Sequence, residues 1–268
     1  MAHLSVPGPF DFALTTERFR VFGPDRVSLW HEGGLLRAVG GREMRIEPAP
    51  GGVDVDPLDE GTEPVVHALL GLAFDLPPFY EWAAHDDVLA EVVARLAGYR
   101  PSLAPDPFEM LVGAIAAQQV SLFSALAMRN RLVERFGVRV GDVWSFPTRE
   151  RIAAAREEEL TALGFSRSKA AFVVGLAHAD IDLHALATLP DDEVRARLVA
   201  LHGIGEWTAE WFLARYLARP NAWPWGDLAL RKAVAALYGD LDVRAAGARF
   251  HPFENLTAHY LLLSQRIP

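Results

Sequence analysis

Hydrophobic positions change their period once along this chain. Between residues 10 and 55 they fall in short runs, Phe19–Phe22, Val27–His31, Leu35–Val39 and Met44–Glu47, with Gly33-Gly34 and Gly40-Gly41 as turns. Such runs predict short strands joined by tight reversals. Pro48–Gly61 is rich in Gly, Pro and Asp and predicts a loop or a ragged edge strand. From Pro64 onward the apolar residues recur at helical spacing, first over Val65–Leu72 and Asp87–Leu96, with Leu76-Pro77-Pro78 as a separator. A second break, Pro101-Ser102-Leu103-Ala104-Pro105, precedes Asp106, which has the chemistry of an N-cap, and Pro107, which suits the first helical position. The remainder predicts helices near 107–118, 121–136, 149–155, 157–163, 167–178, 183–187, 191–201, 206–218, 228–238 and 253–264.

The expected fold is mainly α with an α+β N-terminal domain. Residues 1–85 form the small sheet-containing domain, 106–225 a helical domain, and 86–105 with 226–268 a second helical domain that completes a cleft. Half of the 268 residues are hydrophobic, enough for a sizeable core. The chain has no cysteine, which excludes disulfides, thiolate zinc and iron–sulfur sites. It shows neither a secretory signal pattern nor a run of about 18 apolar residues, so a cytoplasmic protein is expected.

The net charge of −9 opposes nucleic-acid binding at first sight. Its distribution changes the picture. Residues 1–100 hold 8 Lys/Arg against 16 Asp/Glu, whereas residues 101–268 hold 18 against 19. The acidity belongs to the N-terminal part.

The nearly neutral part carries the candidate chemistry. Leu198-Val199-Ala200-Leu201-His202-Gly203-Ile204-Gly205-Glu206-Trp207-Thr208-Ala209 reads as helix, tight hairpin, helix, with the whole motif spanning 198–212. Two glycines around one aliphatic residue let the backbone approach a ligand, and a helix N-terminus suits a phosphate. Ile204 would anchor the turn, and Thr208 could add its hydroxyl. His202 reads as a turn residue. Asp227 follows Gly205 by 22 residues and heads the helix at 228–238. It is an N-cap by position, and a carboxylate there is kept ionised by the helix start. Four of the seven tryptophans, Trp207, Trp211, Trp223 and Trp225, lie close together, either as core or as an aromatic pocket for a cationic base.

From Val199 to Lys232 this pattern resembles the helix-hairpin-helix DNA glycosylases. Phe108-Glu109 and Ala114-Ile115-Ala116-Ala117-Gln118-Gln119-Val120-Ser121 resemble the opening helix of the branch typified by bacterial DNA-3-methyladenine glycosylase II. The resemblance implies a DNA backbone held by Gly203, Ile204, Gly205, Thr208 and Ala209. It implies a flipped base against Trp207 and Trp211, and Gln118 and Gln119 filling the gap left in the duplex. By the same resemblance Asp227 stabilises the developing sugar cation or positions the attacking water. A monovalent cation, Na+ or K+, on the carbonyls of Val199, Leu201 and Ile204 is also implied; no other cofactor is. Family members that cut the strand carry a lysine at the position of Trp207, so the expected enzyme is monofunctional.

Its implied substrate is double-stranded DNA bearing alkylated purines, of the 3-methyladenine and 7-methylguanine type, and its implied state is a monomer with no membrane contact. A glycosylase for another lesion such as oxidised guanine, and a non-catalytic DNA-binding module, are the alternatives. Two departures stand out: Gln119 sits where the family pattern has an apolar residue, and Pro252-Phe253-Glu254-Asn255 with Leu261–Leu263 lacks the family's pocket aromatic. An N-terminal aromatic, Phe22 or Trp30, could close the pocket.

Overall fold

The computed structural model describes residues 1–267. Its N-terminal part holds β1 (Ala2–Ser5), α1 (Phe12–Thr15), α2 (Arg18–Val21), β2 (Ser28–His31), β3 (Gly34–Val39), β4 (Arg42–Ala49), β5 (Gly52–Asp56) and α3 (Glu63–Leu69). Next come α4 (Leu76–Ala83), α5 (Asp87–Arg95), α6 (Pro107–Ala117) and α7 (Leu122–Phe136), then a short hairpin of β6 (Val138–Val140) and β7 (Val143–Ser145). After it follow α8 (Arg149–Ala153), α9 (Glu157–Ala162), α10 (Arg167–His178) and a 3-10 turn at Ala185–Thr188. The last five helices are α11 (Asp191–Val199), α12 (Glu206–Arg215), α13 (Leu228–Tyr238), α14 (Val243–Arg249) and α15 (Glu254–Ser264).

The large sheet is antiparallel in the order β1-β5-β4-β3-β2. Leu35 and Val55 flank Ile46 in register, and all three are fully buried. Three expectations fail in this part of the chain. Phe19–Phe22 is not a strand: Phe12, Thr15, Thr16 and Phe19 are buried at helical spacing, so α1 and α2 form instead. Pro48–Gly61 is a loop only in part: residues 50–51 and 57–61 are turns and irregular chain, but Gly52–Asp56 is a strand and not an edge. The alternation of buried Val53 and Val55 makes β5 an interior strand, covered on its open side by β1, which local pattern did not reveal. Leu76-Pro77-Pro78 opens α4 rather than separating elements, because the first helical turn needs no N–H partners. The hairpin β6–β7 and α14 are additional to the expected elements.

Three apolar cores follow the chain. One gathers residues between Val6 and Leu70 around the sheet. The second joins residues 74–103 to residues 223–263. The third fills 108–222. Leu76 and Phe79, expected within the N-terminal domain, pack in the second core.

The sheet is docked on the helices by buried charge. Glu109 on α6 accepts from Arg37 of β3 and from Arg129 of α7, and Arg129 also donates to Asp25 at 2.6 Å. Burial alone would push the Glu109 carboxyl up, but the two guanidiniums hold it below its usual 4.5. No helix among the described residues is long and apolar enough to cross a membrane.

Candidate active site

The helix-hairpin-helix is formed by α11, the turn at 200–205 and α12. Gly203 has φ +87°, and a Cβ there would stand 2.1 Å from the Phe172 ring. Glycine is required on both counts. Ile204, 4% exposed, anchors the turn, and its amide is bound to the Leu201 carbonyl. Gly205 caps α12 with no side chain, and a Cβ at that position would meet nothing within 4 Å. The structure changes the roles of two expected contacts. Thr208 and Ala209 are buried at 1% and 0%, and both amides are bound to the Gly205 carbonyl, so neither the Thr208 hydroxyl nor these amides face a phosphate. Among the described residues no backbone carbonyl takes the amides of Gly203 and Gly205 outside the helices.

Asp227 is the N-cap of α13, as its position predicts. Its Oδ1 accepts from the amides of Ala229 at 2.9 Å and Leu230 at 3.1 Å. Its Oδ2 accepts from two indoles, Trp207 Nε1 at 3.0 Å and Trp211 Nε1 at 3.1 Å. Four N–H groups thus fix the carboxylate of a residue that is itself partly exposed. The loop before it is held just as firmly. Glu210 Oε2 accepts the Trp223 amide, Asn255 Nδ2 donates to the carbonyls of Ala214 and Arg219, and the Asp227 amide donates to the Pro224 carbonyl at 2.8 Å. Asn255, part of the departing Pro252–Asn255 run, therefore builds the loop that aims Asp227.

The tryptophans divide by role. Trp207 is partly exposed beside Asp227. Trp211 is 5% exposed, and the Arg215 guanidinium lies 4.4 Å from its ring centroid, so it orients the carboxylate and leaves little face for a base. Trp223 packs on Phe250 and donates to the Val243 carbonyl, and Trp225 lies under Arg244.

The glutamines divide as well. Gln118 Nε2 donates to the Gly203 carbonyl at 2.9 Å, which commits it to the hairpin rather than to a gap in a duplex. Gln119 is exposed with φ +56°, a left-handed conformation that costs a non-glycine residue about 1 kcal/mol or more. Next to it Val120, Leu122 and Phe123 are 42%, 50% and 61% exposed, an apolar rim that a folding argument does not explain. Phe22 meets this rim edge-on through Phe123 and lies under Arg266, whereas Trp30 packs on Phe12 within the N-terminal core. Of the two aromatics named for the pocket, Phe22 is the one beside the exposed rim.

Sequence reasoning missed the charged lining. Arg18, Arg215, Arg266, Glu17, Tyr99 and His259 surround one cavity. Burial pulls the Arg215 pKa from 12.5 to about 9, aided by Arg18, so it keeps its charge at neutral pH. Burial, then Arg215, Arg18 and Arg266, hold His259 well below 6.5, in the neutral form. One signal was available: Arg215 follows Trp211 by four residues and so shares its helix face. Arg18 and Arg266 come from opposite ends of the chain and left no such signal.

Comparison with known proteins bears on this arrangement. The model of the HhH-GPD superfamily base excision DNA repair protein matches residues 112–249, just over half of the chain. A DNA-3-methyladenine glycosylase of Bacillus subtilis is 30% identical over 180 residues, 64% of this chain and 59% of that protein. The first curated relatives are matched over only 46–59% of their own length. The structure of a 3-methyladenine DNA glycosylase from Archaeoglobus fulgidus superposes with a TM-score of 0.89 at 28% identity, covering 100% of this chain and 99% of that one. A 3-methyladenine DNA glycosylase (Mag1) of Schizosaccharomyces pombe, solved in complex with abasic DNA, gives a TM-score of 0.60 at 27% identity over 69% of this chain and 94% of that one.

Proposed function

This chain belongs to the HhH-GPD superfamily of base excision DNA repair proteins, and from that membership we propose that it is a monofunctional DNA glycosylase for alkylated purines. It acts on double-stranded DNA, flips the damaged nucleotide, and hydrolyses the N-glycosidic bond to leave an abasic site. The names of the relatives support the substrate class. The observation that carries the reading is the carboxylate of Asp227, a partly exposed residue, fixed by four N–H groups near an open glycine hairpin.

The four donors also favour one of the two roles open to Asp227. An ionised carboxylate offers about four acceptor sites, and here each has a protein partner. Asp227 therefore acts as a fixed anion facing the positive charge that develops at the sugar carbon, rather than as a base that takes a proton from water. Alkylation makes the departing purine a good leaving group, so no general acid is required. Trp207, in place of an amine, offers no nucleophile for an imine with the sugar.

The hairpin holds the DNA backbone through the amides of Gly203 and Gly205, and Gln119 with its apolar neighbours enters the duplex at the lesion. Carbonyls of Val199, Leu201 and Ile204 fit a monovalent cation: the end of α11 leaves carbonyls free, and Leu201 gives only one bond, to Ile204 N–H. Such an ion would add positive charge toward the phosphate. Mass spectrometry of bases released from methylated DNA tests the reading. Free 3-methyladenine or 7-methylguanine is expected, with no borohydride-trapped protein–DNA adduct. Absence of any released base, or a trapped adduct, overturns it.

A further inference from the structure

Three elements distant in sequence bring arginines to one place beside Trp211. Arg18 opens α2, Arg215 ends α12, and Arg266 follows α15. They line a cavity of about 20 Å³ together with Glu17, Tyr99 and His259. A space of that size holds one water-sized group, not a phosphate and not a ring.

Within this lining donors outnumber acceptors. Both oxygens of Glu17 are taken by Arg266, at 2.9 Å each. Asp227, outside the lining, has no oxygen to spare either, since both are taken by the amides and indoles described above. Among the described residues neither Arg215 Nε nor His259 Nε2 has a hydrogen-bond partner, and both are buried, His259 being 3% exposed. An N–H left unpaired in a protein interior is costly, and native sites fill it with water or ligand. Tyr99 and His259 are both neutral, since burial raises the phenol and lowers the imidazole. The charged groups lining the cavity are thus three guanidiniums against one fully engaged carboxylate, Glu17.

We propose that this cavity reads an exocyclic carbonyl oxygen on the flipped base, with Arg215 and the Nε2–H tautomer of His259 as donors, so that 6-oxopurines are released in preference to 6-aminopurines. The oxygen of a 6-oxopurine is an acceptor the size of the cavity. The amino group of an adenine ring is a donor and meets donors and positive charge there. This inference rests on the glycosylase reading and adds to it a specificity that the tryptophans do not supply, since Arg215 itself covers Trp211.

The test compares 7-methylguanine with 7-methyladenine. Both form when DNA is methylated, and both carry the same cationic imidazolium ring. Single-turnover release of each, quantified by mass spectrometry and normalised to its content in the DNA, gives one ratio per variant. Wild type is expected to favour 7-methylguanine, and Arg215→Met to lower that preference about 10-fold or more, the loss of one hydrogen bond to a charged donor. Arg215→Lys keeps a cationic donor and should retain part of the preference, which a merely structural role would not produce. The Lys variant also decides the matter if the Met variant fails to fold. Equal loss of both bases, or a ratio that ignores Arg215, overturns the proposal while leaving the glycosylase reading intact. Release of neither base by wild type overturns that reading, and this one with it.

Discussion

Gln118 donates its Nε2 to the carbonyl of Gly203 across 2.9 Å, joining the C-terminal end of α6 to the hairpin between α11 and α12. The two segments proposed to touch DNA, the exposed turn at Gln119 and the glycine hairpin, are therefore tied to each other directly. Lys169 adds to the same end of α6 by donating Nζ to the Ala116 carbonyl at 2.8 Å. Gln118→Ala should leave the fold intact at a cost of about 1 kcal/mol and weaken binding to abasic-site duplexes several-fold. Denaturant unfolding and fluorescence anisotropy report the two effects separately. An unchanged affinity would mean that the latch is structural only.

The two hairpin glycines predict opposite results. Gly203→Ala places a Cβ against Phe172 at positive φ and should destabilise the protein by about 2 kcal/mol or more. Gly205→Ala meets open space at an ordinary φ of −104° and should change stability by about 1 kcal/mol at most. It should nevertheless reduce DNA affinity, because its methyl projects where a phosphate would approach. Melting temperature and anisotropy on the pair of variants check this inversion.

Buried charge gives a pH signature. Burial raises the Glu109 carboxyl, but Arg37 and Arg129 outweigh it and hold the folded-state value below 4.5. A carboxyl depressed on folding adds stability that is complete above its unfolded value and is lost as pH falls through the folded one. Urea unfolding of the wild type should therefore weaken below about pH 4.5, and part of that slope should vanish in Glu109→Gln. The same variant should be about 3 kcal/mol less stable at pH 7, because it leaves buried guanidiniums short of a partner. A wild-type stability that stays flat as pH falls below about 4.5 would contradict the assignment.

What the sequence disclosed was local. The hairpin, the N-cap at Asp227 and the Asp106-Pro107 start of α6 depend on a few neighbouring residues, and all three lie where the pattern put them. The strand runs at 27–47 carried their own alternation. What stayed hidden depends on partners far along the chain. Nothing near Gly52 announces that β1 will cover β5, and nothing near Gln118 announces Gly203. Trp211 showed an aromatic on the right helix face but not the guanidinium lying over it. The short helices at 12–21 misled because a buried phenylalanine between glycines reads equally well in either period.

The central claim is that the anion of Asp227 drives base release. Single-turnover excision of 7-methylguanine by Asp227→Asn, set beside the affinity of the same protein for abasic-site DNA, tests it most directly. Asparagine is nearly isosteric and keeps one acceptor oxygen, enough for either the indoles or the helix amides, so binding should persist while the rate falls on the order of 100-fold or more. A variant that releases base at the wild-type rate, or that loses DNA affinity in proportion to its activity, would contradict the account.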